Sequence, residues 1–342
     1  MLTRASLLDR YEKDFAPFAN ATGILVAVSG GPDSMALLRL AAHWASTPGR
    51  PPVLAATVDH GLRAESRAEA DEVARWCAPL GLRHQILTWT GPKPATRIQE
   101  RAREVRYRLL DACARQHGCD VLLTAHHMDD QAETVLFRLA RGSGIAGLAA
   151  MAIETPRGDI RHGRPLLLWR KDELVSLCVQ LGQPFATDPS NADPRYARVR
   201  LRRLAKDLAA EGLDAEGLVR LAARARRAER ALEQTAAAAQ ARLARIAEVG
   251  EIALDCDALL AEPAEIALRV VRSCMARVAP LGAPRLEKLE RLMDDLSAAH
   301  AAAAPFGQTL GGALLRWKPG RALVIRPESA RRTGAMVNGL ST

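Results

Sequence analysis

Three short apolar runs, each breaking off at a polar cluster before a helical pattern begins, constrain the fold of this chain more than any other feature. Ile24-Leu25-Val26-Ala27-Val28 stops at Ser29-Gly30-Gly31, Val53 to Val58 at Asp59-His60-Gly61, and Val121 to Ala125 at His126-His127. A weaker strand pattern, His84 to Leu87, falls between the second and the third. Helical patterns separate them: Met35 to Trp44, Glu65 to Leu80, and Thr96 to Gln116, where Ile98, Ala102, Val105 and Leu109 form one stripe. Another runs from Asp129 to Leu139, with acids in its first turn and Arg138 near its end. Fully apolar strands alternating with helices predict an α/β fold, a doubly wound parallel sheet covered on both faces. Ligands of such sheets bind beyond the carboxyl ends of the strands. Ser29, Asp59 and His126 are therefore expected to share one cleft.

At 342 residues the chain exceeds what one core usually serves, so two domains are expected. The pattern changes near residue 216 to an Ala- and Arg-rich helix, which places a larger domain at 1–215 and a smaller, mainly helical one at 216–342. The latter is expected to end in a hairpin, Thr309 to Arg326, around Lys318-Pro319-Gly320. Six scattered cysteines form no C-x-x-C and no zinc spacing, and read as reduced thiols of a cytoplasmic protein. There is no apolar run long enough for a bilayer, and charges come too early at the N-terminus for a signal peptide, so no membrane partner is expected. The net charge of +9 is concentrated: residues 195–230 hold eleven Lys and Arg against five acids. That is the footprint of a polyanionic partner, although solvated helix faces are also often basic. Aromatic residues make up only 4%, so any grip on RNA should rest on phosphates and arginine rather than on rows of stacking rings.

The segment Ser29-Gly30-Gly31-Pro32-Asp33-Ser34, between a buried strand and a helix, is a phosphate-binding turn by mechanism. Glycines let backbone N–H groups approach an anion, the serines add hydroxyls, and the helix N-terminus adds its positive dipole end. Pro32 suits the first turn of a helix but removes one N–H donor. The turn is neither a Walker A loop nor a dinucleotide fingerprint, and Gly-Gly-Pro turns also occur without any ligand.

This segment resembles the SGG-x-DS loop of the ATP pyrophosphatase (PP-loop) superfamily. Further segments are similar to one family within it, the tRNA(Ile)-lysidine synthases: Val58-Asp59-His60-Gly61-Leu62-Arg63, Arg103-Glu104-Val105-Arg106-Tyr107, and Thr124 to Thr134 with its His-His-x-Asp-Asp-Gln-Ala-Glu-Thr run. Arg141-Gly142-Ser143-Gly144 with Gly147-Leu148, and Asp188-Pro189-Ser190-Asn191, follow in the same order. The likeness covers roughly residues 23–205; the last third of the chain resembles the family only loosely, and is too short for the extra domain of its longer members.

The resemblance implies an ATP-dependent ligase that activates carbon-2 of the wobble cytidine of an isoleucine tRNA with a CAU anticodon. Displacement of AMP by the ε-amine of L-lysine then gives lysidine. ATP would be bound by Ser29, Gly30, Gly31, Pro32, Asp33 and Ser34, with Asp33 as the candidate Mg²⁺ ligand or, failing that, a helix cap. Arg106 would stabilise charge around the reacting α-phosphate or the cytidine, and His126 would contact the phosphates or the adenylated intermediate. Asp130 and Glu133, three apart on one helix face, would hold the lysine cation, with Arg198 pairing its carboxylate or a tRNA phosphate. For Asp130 and Glu133 the alternative is charge matched to the helix dipole. Arg202, Arg203 and Arg226 are the tRNA-binding candidates. Since the family commonly dimerises, a homodimer is expected on that ground.

Two other readings are open at this point. A tRNA thiolase of the same superfamily would normally need a catalytic cysteine pair or a cluster-binding C-x-x-C, and the chain has neither. A nucleotide-gated RNA-binding module without chemistry would have no need of His126 and the Asp130/Glu133 pair.

Overall fold

In the computed structural model of the protein, residues 4–94, 96–186, 204, 207–246, 250–280 and 284–328 are described. They divide into two compact units, Met1–Ala225 and Arg226–Thr342.

The first unit is built on a six-stranded sheet of order β3-β2-β1-β4-β6-β5. Its strands are β1 (Ile24–Ala27), β2 (Val53–Asp59), β3 (Arg83–Thr88), β4 (Val121–Leu123), β5 (Glu154–Arg157) and β6 (Ile160–Gly163). All pairings are parallel except that of β5 with β6. The helices are α1 (Arg4–Phe15), α2 (Pro32–Ala45), α3 (Ser66–Cys77), α4 (Ile98–Gln116), α5 (Met128–Leu139), α6 (Ile145–Leu148) and α7 (Lys171–Gln180).

Side chains alternate across a strand, and β1 shows how this places the cores. Ile24, Val26 and Val28 pack with Phe15, Met35, Leu37, Val73 and Leu174, from α1, α2, α3 and α7. Leu25 points the other way and packs with Tyr107 and Leu110 of α4 and with Leu122 and Ile160. The sheet is thus covered on both faces, as the apolar strands predict. The chain moves outward from β1 through β2 to β3, and α4 then carries it back to β4 on the other side of β1. The reversal makes the carboxyl ends of the central pair β1 and β4 the topological switch point, where open α/β sheets bind their ligands.

The hairpin β5–β6 is absent from the sequence expectation, because its residues are too polar to show a strand period. Gly163 closes β6 where a side chain has no room. A Cβ there would lie 2.5 Å from Leu123 Cδ2 and 2.6 Å from the Phe18 ring.

The helix α8 (Ala215–Leu243) begins where the second domain is expected to start. Its Leu218 and Ala222, however, pack with Ala132, Val135 and Leu136 of α5, so its first turns belong to the first unit.

The second unit combines the rest of α8 with α9 (Cys256–Leu260), α10 (Ala264–Val278) and α11 (Leu286–Ala301). Its sheet has five strands in the order β7-β8-β11-β10-β9, namely β7 (Ala244–Ile246), β8 (Ile252–Leu254), β9 (Phe306–Leu310), β10 (Ala313–Trp317) and β11 (Leu323–Pro327). The expected hairpin exists as β10–β11, but it is the centre of this larger antiparallel sheet. Leu254, Val270, Val271, Leu296, Leu315 and Ile325 fill the core between sheet and helices. Arg269 is buried there and paired with Glu229, Glu233 and Glu265. All six cysteines are buried and free. No helix among the described residues is long and apolar enough to cross a membrane.

Gly163→Ala should destabilise the first unit by about 1–3 kcal/mol, the usual cost of overpacking a dense core. Urea unfolding of the two proteins checks this; an unchanged midpoint would mean that Phe18 and Leu123 yield freely.

Candidate active site

The loop after β1 is shaped by what its residues can tolerate. Gly30 has φ +85°, and a Cβ there would lie 2.7 Å from Val73 Cγ2, so both the backbone and the space call for glycine. Gly31 is the N-cap of α2 and Pro32 occupies its first turn. The Ser34 hydroxyl accepts from the Ser29 backbone N–H at 3.1 Å and donates to the Gly31 carbonyl at 2.9 Å. It therefore staples the turn itself, with the Ser29 hydroxyl 3.2 Å away. The N–H groups of the first turn of α2 have no carbonyl upstream within the helix, which is the requirement for an anion site at this end.

At the carboxyl end of β4, His127 is the N-cap of α5 and its side chain is only 5% exposed. Its Nε2 lies 3.5 Å from Asp33 Oδ2 and 3.5 Å from Asp130 Oδ2, and its Nδ1 lies 3.3 Å from Asp129 Oδ2. Burial alone would lower the pKa of this histidine, but the carboxylates Asp129, Asp33 and Asp130 outweigh it and push it up to about 10. The ring is therefore an imidazolium at neutral pH. His127 in turn draws Asp129 down to about 2. Burial pushes the Asp33 carboxyl up, yet His127 and Lys171 hold it below the usual range. Lys171, at the start of α7, places Nζ 3.6 Å from Asp33 Oδ2 and donates its backbone N–H to Asp129 Oδ2 at 3.0 Å. Asp33 Oδ1 is buried with no hydrogen-bond partner.

Asp130 also accepts the His127 backbone N–H at 3.1 Å, so its carboxylate caps α5. Glu133, one turn on, is buried. His126 sits at the other side of the β4 terminus with Nδ1 2.8 Å from Thr124 Oγ1. Arg106 of α4 does reach the sheet, donating from Nε to His60 Nε2 at 3.2 Å. Burial and the adjacent Arg106 lower the His60 pKa to about 4, so this ring is neutral. Asp59 shapes the same turn by accepting the Gly61 N–H at 2.9 Å.

The structure thus brings Asp33, Asp129 and Asp130 together around His127, with the Ser29–Ser34 loop, at the switch point. It places Arg106 with His60 at the end of β2. Contacts join the ends of β1 and β4, whereas Asp59, His60 and Arg106 form a separate group at the end of β2, and the residue at the centre of the first group is the second histidine of the pair, where the sequence points to the first. Lys171 escapes the sequence expectation too: nothing in its own segment signals that it faces Asp33. Arg198, Arg202 and Arg203 lie outside the described residues, and Arg226 falls within α8.

A PP-loop domain model matches residues 4–208 of the chain. The chain is 52% identical over 317 residues to a tRNA(Ile)-lysidine synthase of Methylobacterium sp. (strain 4-46), covering 91% of each. It is 49% identical over 326 residues to the tRNA(Ile)-lysidine synthase of Rhodopseudomonas palustris, covering 93% of this chain and 94% of that one. Among solved structures, the U34-tRNA thiolase NcsA from Methanococcus maripaludis, described with its [4Fe-4S] cluster, aligns with a TM-score of 0.53 at 18% identity. The alignment covers 65% of this chain and 80% of that one, and it shows likeness of fold alone.

Gly30→Ala should cost about 1–3 kcal/mol through backbone strain at positive φ. Thermal unfolding measures the loss, and a variant as stable as the parent would show that Val73 and the loop relax without penalty.

Proposed function

The chain belongs to the tRNA(Ile)-lysidine synthase family of PP-loop enzymes, and from that membership we propose the reaction it performs and the residues that carry it. The enzyme uses ATP to adenylate the carbon-2 oxygen of the wobble cytidine in an isoleucine tRNA with a CAU anticodon. The cytidine oxygen bonds to the α-phosphorus as the bond to pyrophosphate breaks. The ε-amine of L-lysine then bonds to carbon-2, and AMP leaves with that oxygen. The reading rests above all on identity near one half along nearly the whole of both chains, and is supported by the pairing of Asp33 of the Ser29–Ser34 loop with His127 of the His-His run.

In this reading the Ser29–Ser34 loop and the first turn of α2 bind the ATP phosphates through backbone N–H groups. Asp33 suits a Mg²⁺ ion, because its buried Oδ1 has no hydrogen-bond partner and is a hard oxygen donor. Magnesium commonly takes one or two carboxylates together with substrate phosphates, and when bound it would neutralise charge on the departing pyrophosphate. His127 and Lys171 keep the Asp33 carboxylate ionised and fixed in direction. Arg106 offers a permanent positive charge to the α-phosphate or the cytidine, and His126 offers an N–H to the phosphates or the adenylate. Asp130 and Glu133 bind the lysine ammonium and lower the cost of holding it beside the cytidine, with Arg198 toward its carboxylate. Arg202, Arg203 and Arg226 grip the tRNA through phosphates. The enzyme acts in the cytoplasm, as a homodimer.

The test is pyrophosphate release from Mg-ATP with unmodified CAU-anticodon isoleucine tRNA, followed by incorporation of labelled lysine into that tRNA. Release without incorporation would keep the PP-loop chemistry and discard lysidine formation. Asp33→Asn should cut release by roughly a hundredfold or more while leaving tRNA binding nearly intact. Equal loss of both would remove its metal role. Replacing Arg202, Arg203 and Arg226 together by Gln should weaken tRNA binding and flatten its salt dependence, by roughly 0.7–0.9 in log–log slope for each phosphate no longer neutralised. An unchanged slope would move the RNA site elsewhere.

A further inference from the structure

We propose that His162 and Arg164 are positioning residues for His126, and that through the Thr124 hydroxyl they hold its ring in the tautomer whose proton is on Nε2. The inference follows from which atoms can donate. A guanidinium only donates. Arg164 Nη2 lies 2.9 Å from His162 Nδ1, so that nitrogen is an acceptor and the ring proton is on Nε2. His162 Nε2 lies 2.8 Å from Thr124 Oγ1 and donates to it. The threonine hydroxyl still has its own proton to give, and His126 Nδ1, 2.8 Å away, is the ring nitrogen placed to accept it. With Nδ1 an acceptor, the proton of a neutral His126 is on Nε2.

Each link is held in place. His162 is only 5% exposed, and burial together with the adjacent Arg164 lowers its pKa to about 3, so it stays neutral and cannot donate from both nitrogens. Tyr107 of α4 meets its ring edge-on, with centroids 5.4 Å apart. Arg164 is anchored by the Ala152 carbonyl at 3.0 Å and the Thr155 hydroxyl at 3.2 Å. The β5–β6 hairpin, with Thr155 on β5 and His162 on β6, thus reaches Thr124 at the end of β4.

The tautomer decides what His126 offers an anion: Nε2–H donates to a phosphate oxygen, whereas the other tautomer would turn a lone pair toward it. That consequence rests on the proposed contact between His126 and the nucleotide; the tautomer itself does not.

Long-range ¹H–¹⁵N spectra of the full chain labelled at histidine, with His126→Gln to assign the signal, read the protonated nitrogen directly. The expected result is Nε2–H for His126 and His162. Thr124→Val keeps the side-chain shape and removes the relay. It should give a mixture of His126 tautomers and lower kcat of tRNA-dependent pyrophosphate release about tenfold with little change in KM for ATP. Thr124→Ser, which keeps the hydroxyl, should recover both. An Nδ1–H signal in the wild type, an unaltered His126 tautomer in Thr124→Val, or no recovery in Thr124→Ser would overturn the proposal. Wild-type protein that releases no pyrophosphate would instead remove the assigned reaction, and the spectra would still decide the tautomer.

Discussion

A buried cation ties together the chain segments that meet at the end of the sheet. The His127 imidazolium sits among Asp33 from the loop after β1 and Asp129 and Asp130 from the first turn of α5. Lys171 from α7 adds a second positive charge to Asp33. A buried charge without partners costs several kcal/mol, so the nearly fully buried His127 imidazolium depends on the carboxylates around it. Each is held in position because the others are present. The strand ends supply the geometry, and the ion cluster links the loop after β1 to the start of α5 and of α7. Preorganised groups of this kind need not be reorganised at the moment of reaction.

The doubly wound sheet is legible in the residues because β1, β2 and β4 are apolar on both faces and stop at glycine or histidine clusters. The site is legible in outline for the same reason: residues at the ends of neighbouring parallel strands must be close. Individual roles are less legible. His126 and His127 are adjacent in sequence, yet one joins the aspartates and the other joins Thr124. Only the direction in which each ring leaves the strand end separates them, and that is a tertiary fact. Lys171 lies in a helix far along the chain and reveals nothing of Asp33 until α7 packs beside α2.

The strands that the residue pattern hides share one property. Glu154-Thr155-Pro156-Arg157 and Ile160-Arg161-His162-Gly163 are short and largely polar, so neither period 2 nor an apolar run marks them. In the second unit, β7 and β8 are three residues each, and β9 carries only Phe306 and Leu310 as large apolar side chains. Such strands form because a neighbour offers an unpaired edge, as β10 and β11 do here, rather than because their own residues demand it. The inconspicuous β5–β6 hairpin nonetheless carries the groups that set the His126 proton.

The burial of the cysteines has a chemical consequence of its own. With burial pushing Cys77, Cys119, Cys178, Cys256 and Cys274 up to about 11, their thiolate fraction at neutral pH is negligible. A thiol that stays protonated is a poor nucleophile, so these five side chains serve as packing atoms rather than as reactive groups.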